Sequence, residues 1–134
     1  MSRRTRHTLF LLGIALVAVA ADQATKYLVR QLLEPWKEIV LIPALGGILR
    51  LVHHRNTGAA FGLFPGGGMF FAAVAFVVVL GILLYQRSLG EGDLLMRLAL
   101  GLQLGGAVGN LIDRLRYGYV IDFVHVRFWS TFNL

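Results

Sequence analysis

The sequence holds 134 residues, 57% of them hydrophobic and 15% charged, with a net charge of +6 and no cysteine. One domain fits that length and two do not, and so apolar a chain, against about 25% charge in soluble domains, points to a membrane. Disulfides, thiolate chemistry and cysteine lipidation are excluded; nucleic-acid binding is disfavoured because the 13 Lys and Arg are scattered, with no basic helix carrying interleaved aromatics.

A basic start, RRTRH, precedes the apolar run LFLLGIALVAVAA at residues 9–21. A signal peptide has this form, and Ala18-Val19-Ala20 matches an A-x-A cleavage site. The apolar pattern nevertheless continues through Ala24, Tyr27, Leu28, Val29 and Leu32, with no breaker until Pro35. That continuity predicts a retained first membrane helix. Asp22 and Lys26 are four apart, so they share a helix face and can neutralise each other.

Residues 34–68 change character, with glycine, proline and β-branched runs. EIVLI and ILRLVH read as short strands around the turn signal Pro43 to Gly47, giving a small extramembrane sheet. His53 and His54 would point apart on such a strand. They read as solvated or headgroup-facing side chains, not as metal ligands. Gly66-Gly67-Gly68 reads as a flexible connector to the second span, MFFAAVAFVVVLGILLY at 69–85.

After the short loop QRSLGEGD, a third span is predicted from about Leu94 to Ile112. Within it Gly101, Gly105 and Gly109 recur every four residues, a doubled GxxxG that lets a neighbouring helix approach closely. The fold class is thus a mainly α-helical membrane protein with three transmembrane helices and a small β-cradle. Arg3, Arg4 and Arg6 favour a cytoplasmic N-terminus. Three crossings then put 22–68 and 113–134 outside, although those segments also carry many basic residues.

That topology gathers three polar clusters on one side: Asp22–Lys26, Asn56-Thr57-Gly58, and Asn110 to Asp122. Asn110, Asp113 and Arg114 fall at i, i+3 and i+4, on one helix face. Buried charges need partners, so Asp22 and Asp113 can be read as a network that locks the bundle. Asp122 lies in YVIDFV, an apolar strand-like run with no adjacent base. Two carboxylates sharing a proton can activate water; from the residues alone the second would be Asp22 or Asp113. Zinc-ligand spacings, a nucleophile elbow and a Walker loop are all missing from the sequence.

The ordered set DQATK (22–26), NTGAAFG (56–62), GGAVGNLIDR (105–114), VIDF (120–123) and FN (132–133) closely resembles the lipoprotein signal peptidase (signal peptidase II) family. The resemblance covers nearly the whole chain, as a single membrane-embedded peptidase domain. It implies four transmembrane helices with a small sheet, in the bacterial inner membrane, with the site toward the outer face. It implies a monomeric aspartyl peptidase that needs no cofactor or metal. Its substrates would be diacylglyceryl-modified prolipoproteins, cleaved before the lipidated cysteine, and membrane lipid would surround it. Asp122 falls on one catalytic aspartate. Asp22, Lys26, Asn56, Gly58, Gly106, Asn110, Asp113, Arg114 and Asn133 fall on motif positions that shape the site or contact substrate, with Asp113 expected to support Asp122 together with Arg114. In the family a second catalytic aspartate and a fourth helix follow FN, whereas the sequence stops at Leu134. The expectation is therefore a C-terminally truncated chain, inactive alone, whose glycine face or a neighbouring one would receive the fourth helix. The alternative is a catalytically inactive lipopeptide-binding membrane protein.

Overall fold

A computed structural model describes residues 2–35, 37–58, 64–90, 92–127 and 131–132. Three helices and one antiparallel sheet make up the fold: α1 (Arg3–Leu32), β1 (Glu38–Val40), β2 (Leu49–Asn56), α2 (Gly68–Tyr85), α3 (Leu94–Tyr117), β3 (Val120–Val126) and β4 (Thr131–Phe132). All three helices are long and apolar enough to cross a membrane. At 1.5 Å per residue, α1 reaches about 45 Å, well beyond the hydrocarbon core.

Local sequence sets the helix ends. The Ser2 hydroxyl oxygen accepts the Thr5 amide at 3.1 Å and caps α1. The predicted end of α3 at Ile112 falls short, because the helix continues to Tyr117. Gly118, at φ 78°, closes it in the left-handed conformation that glycine adopts without cost. Asn110, Asp113 and Arg114 therefore project from the last two turns of α3 and not from a loop.

The glycine ridge of α3 faces α1. A Cβ at Gly101 would lie 2.9 Å from Ile14, and one at Gly105 would lie 2.4 Å from the Ala18 Cβ and 2.8 Å from the Ala15 carbonyl. The glycine face, one of the two expected to receive a further helix, is thus already occupied by α1. Gly68 departs from the connector reading as well. It begins α2, and a Cβ there would sit 2.4 Å from the Gly118 carbonyl oxygen, so bare backbone joins the start of α2 to the end of α3. Leu11, Ala15, Ile82, Leu100 and Leu104 form the core between the three helices.

The sheet order is β1-β2-β3-β4, every pair antiparallel. β1 ends at Val40, two residues earlier than EIVLI suggests, and β4 had no signal in the sequence. Val29 of α1 and Leu33 just after it bury against Phe123 of β3, which seats the sheet on the C-terminal end of α1.

Candidate active site

Two polar groupings meet where the bundle joins the sheet. The first is an ion triad. Lys26 Nζ lies 2.8 Å from Asp22 Oδ2 and 2.8 Å from Asp113 Oδ2, with all three side chains no more than 2% exposed. The lysine also donates to Asn110 Oδ1 at 3.0 Å. Buried charges persist only when paired and hydrogen-bonded in this way. Asp22 and Lys26 pair as their spacing predicts, but two to three turns inside α1 and not at its end.

Gln23 completes this network, although no sequence pattern singled it out. Its amide nitrogen donates to Asp113 Oδ1 (3.0 Å), Asp22 Oδ2 (3.1 Å) and the Gly109 carbonyl (3.2 Å). Its place between Asp22 and the lysine in DQATK was the available signal. Asp113 Oδ2 in addition accepts the Ile121 backbone N–H at 3.1 Å. A helix carboxylate thus fixes the strand residue that precedes Asp122.

Asp113 and Arg114 form no direct ion pair with each other, although the guanidinium feels the charges of both Asp122 and Asp113. Consecutive helix residues point about 100° apart. Asp113 turns to Lys26, while the Arg114 guanidinium donates to the Gly58 carbonyl at 3.1 Å and lies 5.9 Å from the Phe71 ring centre.

The second grouping surrounds Asp122, which is 3% exposed. Asn56 Nδ2 donates to Asp122 Oδ2 at 2.9 Å, and Asn56 Oδ1 accepts the Gly58 amide at 2.9 Å. One chain of contacts therefore runs from Arg114 through Gly58 and Asn56 to Asp122. Gly106 is half-buried on α3. Asn133 and residues 59–62 of the second motif lie outside the described residues.

The histidines depart from the solvated reading. His53 is 5% exposed, and its Nδ1 lies 2.9 Å from the Leu33 carbonyl. His54 Nδ1 lies 3.9 Å from Asp122 Oδ2, and the two residues are register partners across β2 and β3. An extra β2 residue between Leu51 and His54 bulges the strand and re-aims His54 and the residues beyond it. A bulge of this kind is set by pairing and has no signature in the strand's own residues.

Comparison with known proteins places this geometry. The family model described as signal peptidase (SPase) II matches residues 14–134. The lipoprotein signal peptidase of Moorella thermoacetica is 45% identical over 121 residues, covering 90% of this chain and 79% of its own. That of Symbiobacterium thermophilum is 46% identical over 119 residues, with 89% and 76% covered. A solved structure described as a bacterial membrane enzyme, determined by the in meso method at 2.3 Å, superposes with a TM-score of 0.83 at 30% identity, covering 92% of this chain and 76% of that one. With three membrane-crossing helices, a small antiparallel sheet and a match along almost all of its length, the chain belongs to the signal peptidase II family.

Proposed function

We propose that the chain is an aspartyl peptidase that removes signal peptides from diacylglyceryl-modified prolipoproteins, with Asp122 as one of two catalytic carboxylates. The observation that carries this reading is the Asn56–Asp122 pair, a buried carboxylate held by a side-chain amide at 2.9 Å, at the seam of sheet and bundle. The relatives named lipoprotein signal peptidase support the substrate class. The enzyme is a monomer in the bacterial cytoplasmic membrane, with the site toward its outer face.

In this mechanism Asp122 and a second carboxylate share one proton and titrate as a pair. The ionised member takes a proton from water as the water oxygen attacks the scissile carbonyl. The protonated member gives its proton to the carbonyl oxygen. The tetrahedral gem-diol then collapses: the C–N bond breaks, the leaving amine takes a proton from the protonated member, and a hydroxyl of the intermediate returns its proton to the ionised member. Asn56 fixes the rotation of the Asp122 carboxylate, and Arg114 holds the segment after Asn56 through Gly58. Asp22, Lys26, Asn110 and Asp113 position β3 from the bundle.

A second reading, a lipopeptide-binding protein without turnover, is favoured by one observation. Asp22 and Asp113 are both committed to Lys26, so neither is presented to Asp122 as a dyad partner. The test is a gel shift of a diacylglyceryl-modified prolipoprotein: on the peptidase reading the protein cleaves it and Asp122→Asn does not. Binding without cleavage by the unaltered protein would favour the second reading.

A further inference from the structure

On the other side of the ion triad, the last turns of α1 and α3 leave a crevice of about 120 Å³. Lys26 and Asp113, both buried, form its floor, and Tyr27, Arg30, Arg116 and Tyr117 form its rim. Ile121 also lines it, whereas Asp122, the next residue of the strand, projects from the opposite face. The crevice is therefore distinct from the Asn56–Asp122 grouping. Its volume is that of about four waters, which suits a phosphate group and not a folded peptide.

The rim is built to donate. Arg30 Nη1 donates to the Tyr117 hydroxyl at 2.6 Å, and its guanidinium lies 4.5 Å from the centre of that ring. A hydroxyl that accepts from arginine keeps its own proton to give. No ion pair to a carboxylate engages Arg30 or Arg116 among the described residues. The lining carboxylate, Asp113, is already taken up by Lys26, Gln23 and the Ile121 amide. Basic and aromatic groups continue along the same edge: Tyr117 stacks on Tyr119 at 5.9 Å, and the Arg55 guanidinium lies 5.2 Å from the Tyr119 ring centre. Toward the membrane interior the crevice side of α1 continues with exposed apolar side chains, Leu16 at 70% and Leu12 at 40%.

We propose that this crevice is a binding site for the phosphate of an anionic glycerophospholipid, whose acyl chains run along the exposed apolar surface of α1 and α3. The charge complementarity is specific in kind: two arginines without carboxylate partners and a tyrosine line a phosphate-sized space, at the depth where helix ends meet headgroups. The rival explanation is that the arginines merely complement the helix C-terminal dipoles and anchor the bundle at the interface. A general belt of that sort holds no single lipid, so retention of one phosphatidylglycerol copy separates the two.

The test titrates purified protein in neutral detergent with phosphatidylglycerol, phosphatidylcholine or inorganic phosphate. Bound lipid is counted by native mass spectrometry, and the melting temperature is followed in parallel. Phosphatidylglycerol should be retained as one copy and raise the melting temperature, and phosphatidylcholine should do neither. Arg30→Gln and Arg116→Gln should each weaken retention about fivefold. Tyr117→Phe, which keeps both charges and the ring, should weaken it measurably, and Arg87→Gln, exposed between α2 and α3, should not. Unchanged retention in the Arg30→Gln/Arg116→Gln double variant overturns the site. So does an equal loss in Arg87→Gln, which would mean general charge attraction. Equal protection by inorganic phosphate would make the crevice a free-anion site and overturn the lipid assignment. Arg30 and Arg116 are exposed, so melting without lipid reports whether each variant has folded.

Discussion

Gly109 of α3 lies directly against the carboxylate of Asp22, so closely that a Cβ on the glycine would be 2.3 Å from Asp22 Oδ2. Asp22 cannot retreat, because Lys26 holds the same oxygen at 2.8 Å. Gly109→Ala should therefore destabilise the bundle by about 1–3 kcal/mol through overpacking, despite the better helix propensity of alanine. Gly81→Ala, where nothing lies within 4 Å, should be neutral or stabilising. Melting in detergent compares the two, and equal behaviour would show that the glycine ridge carries no packing.

Lys26→Met should be more damaging. It leaves Asp22 and Asp113 buried with no cation between them, and breaking a buried ion pair costs about 3–5 kcal/mol. Adding Asp113→Asn to Lys26→Met should recover part of the loss, since one fewer uncompensated charge remains. Failure of the double change to recover any stability would mean that Lys26 acts through packing alone.

Periodicity and composition made the three helices legible, as well as the strands around the Pro43–Gly47 turn and the strand bearing Asp122. They did so because burial against lipid or a helix forces long apolar runs. Partner choice was not legible. Asp113 sits next to Arg114 in sequence yet bonds Lys26, because helix geometry separates neighbours and brings distant segments together. The glycine spacing announced close packing, but nothing in it names α1 as the partner. Likewise, His54 meets Asp122 through a strand register that only the folded sheet defines.

On the chemistry, Asp122→Asn should abolish cleavage while leaving the protein folded, because an amide neither accepts a proton from water nor shares one. The loss expected for one acid–base group is about 10²–10⁴-fold. Asp113→Asn should act instead largely through stability, by loosening Lys26 and the Ile121 amide. Comparing turnover at matched folded concentration separates the two. Robust cleavage by Asp122→Asn would sink the assignment.

Topology is open to a direct check in a chain without native cysteine. Single changes Glu38→Cys, Gly90→Cys and Arg127→Cys place labels before, between and after the later spans. Glu38→Cys and Arg127→Cys should react with an impermeant reagent from outside, and Gly90→Cys from inside after permeabilisation. Labelling of Glu38→Cys from the cytoplasmic side alone would refute the proposed orientation.

The placement of Lys26 four residues after Asp22 also bears on how the chain is made. An isolated charge at the centre of an inserting helix costs about 2.5–3.5 kcal/mol. α1 is synthesised long before α3, yet it carries its own counter-charge on the same face and enters the bilayer as a neutral pair. Asp113 joins that pair only when α3 arrives, and the Ile121 amide then docks on the same carboxylate. The strand that bears Asp122 can be locked in place only after the last described helix is inserted. The Asn56–Asp122 grouping is thus completed only once membrane assembly is finished.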